Sequence, residues 1–199
     1  MSDEQMNEQN NFKNALNAAG IFLLELIKIA VFAGVTIFLV RYFLFKPFYV
    51  KGASMEPSFY EKEYLIIDEI TYRLHSPQRG DVIVFVPPTD AKEHYLKRII
   101  GLPGERVKVS EGKVILYNAD HPEGTTIDEA YLPNDLATSG EKNVVLGDDE
   151  YFVLGDNRNN SFDSRRFGPI TRANITGRAW LRGWPPNRAQ IFKSPNFNL

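Results

Sequence analysis

The chain has 199 residues, a net charge of −2 and a pI near 6.0, so it can hold one domain with a proper core, and it lacks the basic surface typical of nucleic-acid-binding proteins. It contains no cysteine, which excludes disulfides, thiolate metal ligands and a cysteine nucleophile. The three histidines, His75, His94 and His121, show no metal-ligand spacing, so we expect no metal and no cofactor.

The first predicted elements are a polar segment and an apolar one. Residues 1–20 are rich in Asn, Gln and acidic side chains and predict a flexible tail. Residues 21–45 are apolar and supply the roughly 20 residues that a membrane-spanning helix needs, with Glu25 and Lys28 spaced to pair on one helix face. A buried helix of a soluble domain is the alternative. A cleavable signal peptide is disfavoured, because the leading segment is acidic and the apolar run is too long.

The charges that flank the apolar segment predict an orientation in the membrane. Lys13 is the only basic residue before the segment, whereas Arg41, Lys46 and Lys51 follow it. Taken alone, the positive-inside rule therefore places the C-terminal domain in the cytoplasm.

The remainder of the chain, residues 46–199, predicts a mainly β domain built on an antiparallel sheet. Short runs rich in Val, Ile, Tyr and Phe alternate with turns that contain Gly and Pro. The predicted strands are 48–51, 64–68, 82–86, 95–101, 106–110, 113–117, 151–154 and 175–181. Residues 118–149 are more polar and predict an insertion or a long excursion from the sheet.

Two residues of this domain, Ser54 and Lys97, are candidates for a catalytic pair. Ser54, in the stretch GASMEPS, is either a turn residue or a nucleophile, and a serine hydroxyl needs a base to become reactive. No histidine stands in a setting that favours a Ser-His-Asp triad. Lys97 lies in an apolar, strand-like run, where burial would lower its pKa and let the neutral amine accept the serine proton. The alternative is that Lys97 and Arg98 form a solvated basic pair.

A third stretch, GDNRNNSFDSRRFG at 155–168, allows two interpretations. It is either a polar loop with Asx-turns or a support for a neighbouring active site. In the second interpretation, the hydroxyl of Ser161 and an ion pair between Asp163 and Arg165 hold that site in place.

Four stretches in this order resemble bacterial type I signal peptidase, the membrane-bound serine protease that removes signal peptides from exported preproteins. They are FLVRYFLFKPFYVKGASMEPS, RGDVIVF, YLKRIIGLPGE and GDNRNNSFDSRRFG. The resemblance implies a mainly β catalytic fold with Ser54 as nucleophile and Lys97 as general base. It further implies that Ser161 orients the lysine amine and that Asp163 and Arg165 form the supporting pair.

The resemblance also implies how the oxyanion of the reaction is stabilised. The backbone N–H of Ser54 is the expected donor. Some family members carry a serine hydroxyl two residues before the nucleophile, but this chain has Gly52 there. A second donor at Gly52 must therefore be a backbone group.

The partners implied by the resemblance are preproteins with signal peptides and the lipid bilayer, with no nucleic acid, and a monomer is expected. The family cleaves after small residues in A-x-A-like sites, and Phe48, Val50 and Ile99 are candidate pocket residues. The family works on the outer face of the cytoplasmic membrane as a single-pass protein with its tail inside. We follow the family here against the local charge count, because large domains cross membranes largely regardless of charge.

Two rival interpretations remain at this point. Self-cleaving SOS repressors share a Ser-Lys dyad and a related β fold, but they carry a DNA-binding domain where this chain has the apolar segment 21–45. A membrane-tethered β domain that binds a partner without catalysis would leave Ser54 and Lys97 with structural roles.

Overall fold

The computed structural model of the protein describes the backbone of residues 3–43, 45–134 and 136–199, and the side chains of residues 16–38, 47–134 and 136–199. The chain forms two compact units, and the second of them is Phe45–Leu199.

The first unit is one helix, α1 (Asp3–Phe43). Its stretch Leu16–Phe38 is exposed, and by length and composition it is able to cross a membrane. The predicted pair of Glu25 and Lys28 is present, with Lys28 Nζ 3.9 Å from Glu25 Oε1. The helix begins within the segment for which the sequence predicted a flexible tail. Because residues 3–19 contain neither proline nor glycine, nothing in them stops the helix from extending beyond the apolar stretch.

The second unit confirms the predicted antiparallel β architecture. Its described strands are β1 (Phe45–Tyr49), β2 (Tyr64–Asp68), β3 (Val82–Phe85), β4 (Tyr95–Gly101), β5 (Arg106–Ser110), β6 (Lys113–Tyr117), β7 (Thr125–Thr126), β8 (Lys142–Val145), β9 (Glu150–Leu154), β10 (Ile170–Thr171), β11 (Ile175–Trp184) and β12 (Gln190–Ile191). The short helices are α2 (Thr71–Leu74) and α3 (Ser164–Phe167), with 3-10 turns at Arg172–Asn174 and Pro186–Arg188.

The strands form two sheets. The larger has the order β1-β2-β11-β3-β4-β9-β10, with β12 paired to β11, and the smaller has the order β7-β6-β5-β8. The sequence placed the excursion at 118–149, which includes β7 and β8, but the smaller sheet already starts at β5. The alternation of β5 and β6 predicted two strands correctly but did not indicate the sheet to which they belong.

Strand β4 contributes to all three clusters of the hydrophobic core. Leu96 packs in a first cluster with Met55 and Phe59, Ile100 in a second cluster that joins the two sheets, and Ile99 in a third. Because successive side chains of a strand point to opposite faces, β4 is held by packing on both faces. The strand that carries Lys97 is therefore among the most firmly held parts of the β unit.

Candidate active site

Ser54 lies in the loop between β1 and β2. Met55 and Phe59 anchor this loop, because both side chains are buried in the first core cluster and the Phe59 N–H donates to the Met55 carbonyl at 2.9 Å. At the base of the loop, the Val50 N–H donates to the Glu63 carbonyl at 2.9 Å. The half-buried Ser54 is thus presented by a loop that is fixed on its C-terminal side by the core.

Lys97 approaches Ser54 from the centre of β4, where it pairs with Ile83 of β3. Its Nζ lies 2.8 Å from Ser54 Oγ and donates to the Leu96 carbonyl at 2.9 Å. The ring of Tyr95 has its centroid 5.3 Å from the same nitrogen. The structure therefore brings together the two residues that the sequence predicted as nucleophile and base.

The environment of Lys97 raises the fraction of neutral amine relative to a solvated lysine. Burial lowers the pKa of Lys97 to about 8, because the ammonium group loses its hydration in the protein interior. The carboxylates of Asp163 and Asp156 act in the opposite direction, since nearby negative charge stabilises the ammonium form. At pH 7 roughly a tenth of the amine is then unprotonated, compared with well under a thousandth for a solvated lysine.

Arg98 is buried on the other face of β4, so Lys97 and Arg98 are not a solvated pair. Its guanidinium donates to both carboxylate oxygens of Asp156, at 2.9 and 2.6 Å, and to the Gly80 carbonyl at 2.9 Å. It also lies over the ring of Tyr131, 4.0 Å from the centroid. The pair fixes the loop that follows β9 against β4, one residue from Lys97.

Asp163 and Arg165 form the ion pair that the sequence predicted. The Arg165 Nε and Nη2 atoms donate to the two Asp163 carboxylate oxygens at 2.8 and 2.7 Å, and the Gly155 N–H donates to the same carboxylate at 3.1 Å. Burial raises the pKa of Asp163, but the hydrogen bonds and charge of Arg165 outweigh burial and hold that pKa below its ordinary value. Asp163 is therefore a buried carboxylate that is charged at neutral pH and close enough to act on Lys97 electrostatically.

Ser161 lies beside this pair. Its Oγ is a buried atom with no hydrogen bond of ordinary geometry among the described residues, although the hydroxyl is close enough to Asp163 to help lower the pKa of that carboxyl. The partners of Lys97 Nζ in this arrangement are Ser54 and the Leu96 carbonyl. The role of Ser161 in orienting the amine stays a prediction.

The two predicted oxyanion donors differ in their surroundings. Within the described residues, no acceptor takes the Ser54 N–H, which leaves this group available to a ligand. The Gly52 N–H donates to the exposed Glu61 carboxylate, with 3.4 Å between nitrogen and oxygen. A second donor at Gly52 stays a prediction, and it requires that this long hydrogen bond be exchanged for one to the substrate.

A cleft of about 270 Å³ opens over Ser54 and Lys97. Phe48 and Val50 line it, as the sequence suggested, together with Leu96 and Tyr95. Ile99, the third suggested pocket residue, does not line the cleft, because its side chain on β4 is fully buried in the third core cluster. Among the described residues, no group of three or more His, Asp or Glu side chains is placed to hold a metal ion.

Sequence reasoning missed the buried ion pairs that hold the loop after β9. Arg158, whose side chain is fully buried, pairs with Glu129 and donates to Thr138 Oγ1 at 2.7 Å. Asp156, in the same loop, pairs with Arg98 of β4. One signal of these pairs was present in the sequence, since Asp156 is a charged residue that closely follows an apolar strand. The sequence alone does not identify its partner.

Comparison with known proteins places these observations in a family context. The family profile described as "Signal peptidase, peptidase S26" matches residues 23–184. The chain is 42% identical to a probable signal peptidase I-2 of Synechocystis sp., over 84% of this chain and 76% of that protein, and 40% identical to signal peptidase I of Leptolyngbya laminosa, over 75% and 73%. A crystal structure of a signal peptidase I from Enterococcus faecalis V583 covers 52% of this chain and 97% of its own, with 29% identity and a TM-score of 0.44.

Proposed function

The chain belongs to the peptidase S26 family of signal peptidases, and from this premise we propose that Ser54 and Lys97 are the catalytic dyad of a membrane-bound signal peptidase I. Membership makes the protein a serine protease that cleaves signal peptides from preproteins. The observation that carries the dyad is the 2.8 Å distance between Ser54 Oγ and the buried Lys97 Nζ. A nucleophile and a base within hydrogen-bond reach are the geometric requirement for covalent catalysis.

The reaction proceeds in two halves. The neutral Lys97 amine takes the proton of Ser54 Oγ as the oxygen attacks the scissile carbonyl carbon, and the resulting ammonium then donates this proton to the leaving amine of the mature protein. The acyl group of the signal peptide stays on Ser54 as an ester. Lys97, again neutral, deprotonates a water molecule that attacks the ester carbonyl, which releases the signal peptide acid and restores the Ser54 hydroxyl.

The oxyanion of each tetrahedral intermediate is assigned to the backbone N–H of Ser54. A fixed donor aimed at developing charge stabilises the transition state more than the ground state, which is how such donors accelerate acyl transfer. The absence of an acceptor for this N–H within the described residues supports the assignment. Gly52 is the candidate second donor.

Supporting roles fall to Asp163, Arg165 and Ser161. The Asp163–Arg165 pair holds the loop that faces Lys97, and the charge of Asp163 keeps the Lys97 pKa from falling further. Ser161 is the proposed orienting hydroxyl for the amine. Its buried Oγ without a hydrogen-bond partner of ordinary geometry fits a group that binds the amine when the dyad rearranges during the reaction.

The substrate class follows from the cleft and the helix. We assign the cleft lined by Phe48 and Val50 to the small residues of an A-x-A-like cleavage site, because bulky lining side chains exclude larger substrate side chains by steric clash. Helix α1 is assigned to the cytoplasmic membrane as a single span, with the β unit on the outer face. The apolar, exposed stretch Leu16–Phe38 supports membrane anchoring.

The proposal is tested with the full-length protein in detergent and a preprotein that carries an A-x-A site. We expect the wild type to release the mature protein, and Ser54→Ala and Lys97→Ala to fall to background while they remain folded. Cleavage by Lys97→Ala at an undiminished rate would show that another group takes the Ser54 proton. Inactivity of the wild type on several such substrates would contradict the assignment of the dyad.

A further inference from the structure

Asn157 contacts the nucleophile loop at two adjacent positions. We propose that Asn157 is a positioning residue that orients the Ser54 N–H toward the oxyanion, an inference that rests on the proposed function of Ser54. The Asn157 side chain donates from Nδ2 to the Ala53 carbonyl at 3.0 Å, and its backbone N–H donates to the Ser54 carbonyl, also at 3.0 Å. One residue thus holds the carbonyl groups on both sides of the nucleophile.

The first of these hydrogen bonds determines the direction of the Ser54 N–H. The Ala53 carbonyl and the Ser54 N–H belong to the same peptide group, which is planar and trans, so the two bonds point in opposite directions. When Nδ2 of Asn157 holds the carbonyl, the N–H is directed away from Asn157. That N–H has no acceptor among the described residues.

The second hydrogen bond, from the Asn157 N–H to the Ser54 carbonyl, holds the peptide group that follows Ser54, so the two bonds act on consecutive peptide groups. Without the bond to Nδ2, the Ala53–Ser54 peptide group could turn and present its carbonyl oxygen to the substrate in place of the N–H. A carbonyl oxygen repels an oxyanion, whereas an N–H stabilises it. The pair of bonds therefore selects the reactive orientation of one peptide group.

Asn157 is itself held by rigid neighbours. The preceding Asp156 is fully buried and is bound by Arg98, the residue next to Lys97 on β4. Gly155 packs so closely on the Ser54 carbonyl that an added Cβ would lie 2.4 Å from its oxygen. The proposed oxyanion donor and the proposed base are thus positioned from the same strand.

The neighbouring asparagines supply matched controls. Asn159 and Asn160 lie in the same run of sequence, but both are exposed, and neither side chain makes a hydrogen bond within the described part of the chain. An identical change at Asn159 therefore alters amide chemistry and charge without touching the nucleophile loop.

The experiment compares Asn157→Ala and Asn157→Asp with Asn159→Ala and Asn159→Asp in the full-length, detergent-solubilised protein. For Asn157→Ala we expect kcat to fall about 10- to 100-fold, somewhat less than the loss on removal of an oxyanion donor itself. We expect KM to stay within about twofold, because the interaction is made in the transition state. Asn157→Asp should lose more, since its carboxylate repels the Ala53 carbonyl. Both Asn159 variants should retain the wild-type kcat.

Two further measurements separate positioning from general loop packing. A peptide aldehyde with a small residue at the cleavage position forms a tetrahedral adduct with Ser54, and its inhibition constant should rise in proportion to the loss of kcat. The acidic limb of the pH profile of Asn157→Ala should stay where it is in the wild type, because the base is unchanged.

Three results would overturn the inference. The first is an unchanged kcat in Asn157→Ala when the wild type is active and Ser54→Ala is not, which would leave the dyad in place and remove only the role of Asn157. The second is a loss of kcat accompanied by a shifted acidic limb and a lower melting temperature, which would indicate loop packing. The third is activity that persists in Ser54→Ala, which would remove the proposed function and this inference with it.

Discussion

The Lys97 amine and the Ser54 hydroxyl lie 2.8 Å apart although 43 positions separate them in the sequence. The contact forms because β4, packed on both faces, meets the loop that Met55 and Phe59 anchor in the core. Burial of the amine follows from the same packing and brings its pKa to about 8. Position and basicity of the proposed catalytic base thus have one structural cause.

The lowered pKa of Lys97 predicts the pH dependence of cleavage. The neutral amine is the active form, so kcat/KM should rise about tenfold per pH unit below pH 8 and level off above it. The measurement is kcat/KM on an A-x-A peptide across this range, with Lys113→Ala, an exposed lysine of β6, as a control that keeps the profile. An acidic limb centred two units or more away from about 8 would contradict the assignment of Lys97 as base.

The same pKa predicts that Lys97 destabilises the fold at neutral pH. Its folded-state pKa of about 8 lies below the ordinary value of 10.5, so the unfolded chain binds the proton more tightly, and stability rises as pH increases through the window between these values. Below about pH 8 the fold buries an ammonium group at a cost of about 3 kcal/mol. We therefore expect Lys97→Met, similar in length but uncharged, to be more stable than the wild type at pH 7.

The measurement is urea unfolding of the wild type and Lys97→Met at pH 7 and at pH 10. Fluorescence reports the β unit selectively, because both tryptophans, Trp180 and Trp184, lie in β11. All other groups titrate alike in the two proteins, so the difference isolates Lys97. An advantage of Lys97→Met that is the same at both pH values would show that the amine is not charged and buried at pH 7.

The sequence was sufficient for those features that depend on local pattern. Strands β2, β4, β5 and β6 begin and end where the alternation of apolar residues and the Gly and Pro turns predicted. Ser54 and Lys97 were predicted as a pair because four stretches of the chain resemble one family in the same order, whereas each residue alone also fits a structural role. The order of such stretches can be read from the sequence without knowledge of the fold.

Features that depend on long-range pairing were not predictable in the same way. The bonds of Asn157 to Ala53 and Ser54 join parts of the chain about 100 residues apart, and nothing in the sequence distinguishes Asn157 from the nearby Asn159 and Asn160. The pairing of the buried Arg158 with the half-buried Glu129 likewise has no signal in the sequence around either residue. The second sheet was not predicted, because its hairpin β5–β6 has the same alternation as the strands of the larger sheet.

Replacing Asp163 by Asn should shift the pH profile to lower pH. A simple loss of packing would hydrate the Lys97 amine, raise its pKa and shift the profile to higher pH. The Asp163 carboxylate raises the pKa of Lys97, so its removal should lower that pKa further and move the acidic limb to lower pH by up to about one unit. The fold should also lose stability, because the half-buried Arg165 loses the carboxylate with which it pairs. The kcat/KM profile is the measurement, with the exposed Asp120→Asn as control, and an acidic limb at higher pH would contradict this reasoning.

The orientation of the β unit is testable with single cysteines because the chain has none of its own. If the β unit lies outside the membrane, Lys113→Cys, at an exposed site, should react with an impermeant maleimide in intact spheroplasts. A cysteine in place of Gln9, before the apolar stretch, should react only after permeabilisation. The reverse pattern would show that the charge count around the helix, and not the family, predicts the topology.

A methyl group added at Gly155 should reduce the cleavage rate more than it reduces the stability of the fold. A Cβ added there would lie 2.2 Å from Ser161 Oγ and 2.4 Å from the Ser54 carbonyl oxygen, so the loops of Ser161 and Ser54 must move apart. A displacement of about 1 Å at a catalytic group can reduce the rate about 100-fold, and we expect a loss of this size for Gly155→Ala.

The matched control is Gly183→Ala, because an added Cβ at Gly183 of β11 meets no atom within 4 Å. Cleavage rates and melting temperatures of both variants are measured together. Gly183→Ala should match the wild type in both activity and melting temperature. Gly155→Ala should lose more activity than its change in stability explains, because the substitution displaces the nucleophile without unfolding the protein. Full activity in Gly155→Ala would mean that Ser54 and Ser161 need not keep their present spacing, and it would remove the structural reason to assign Ser161 to the site.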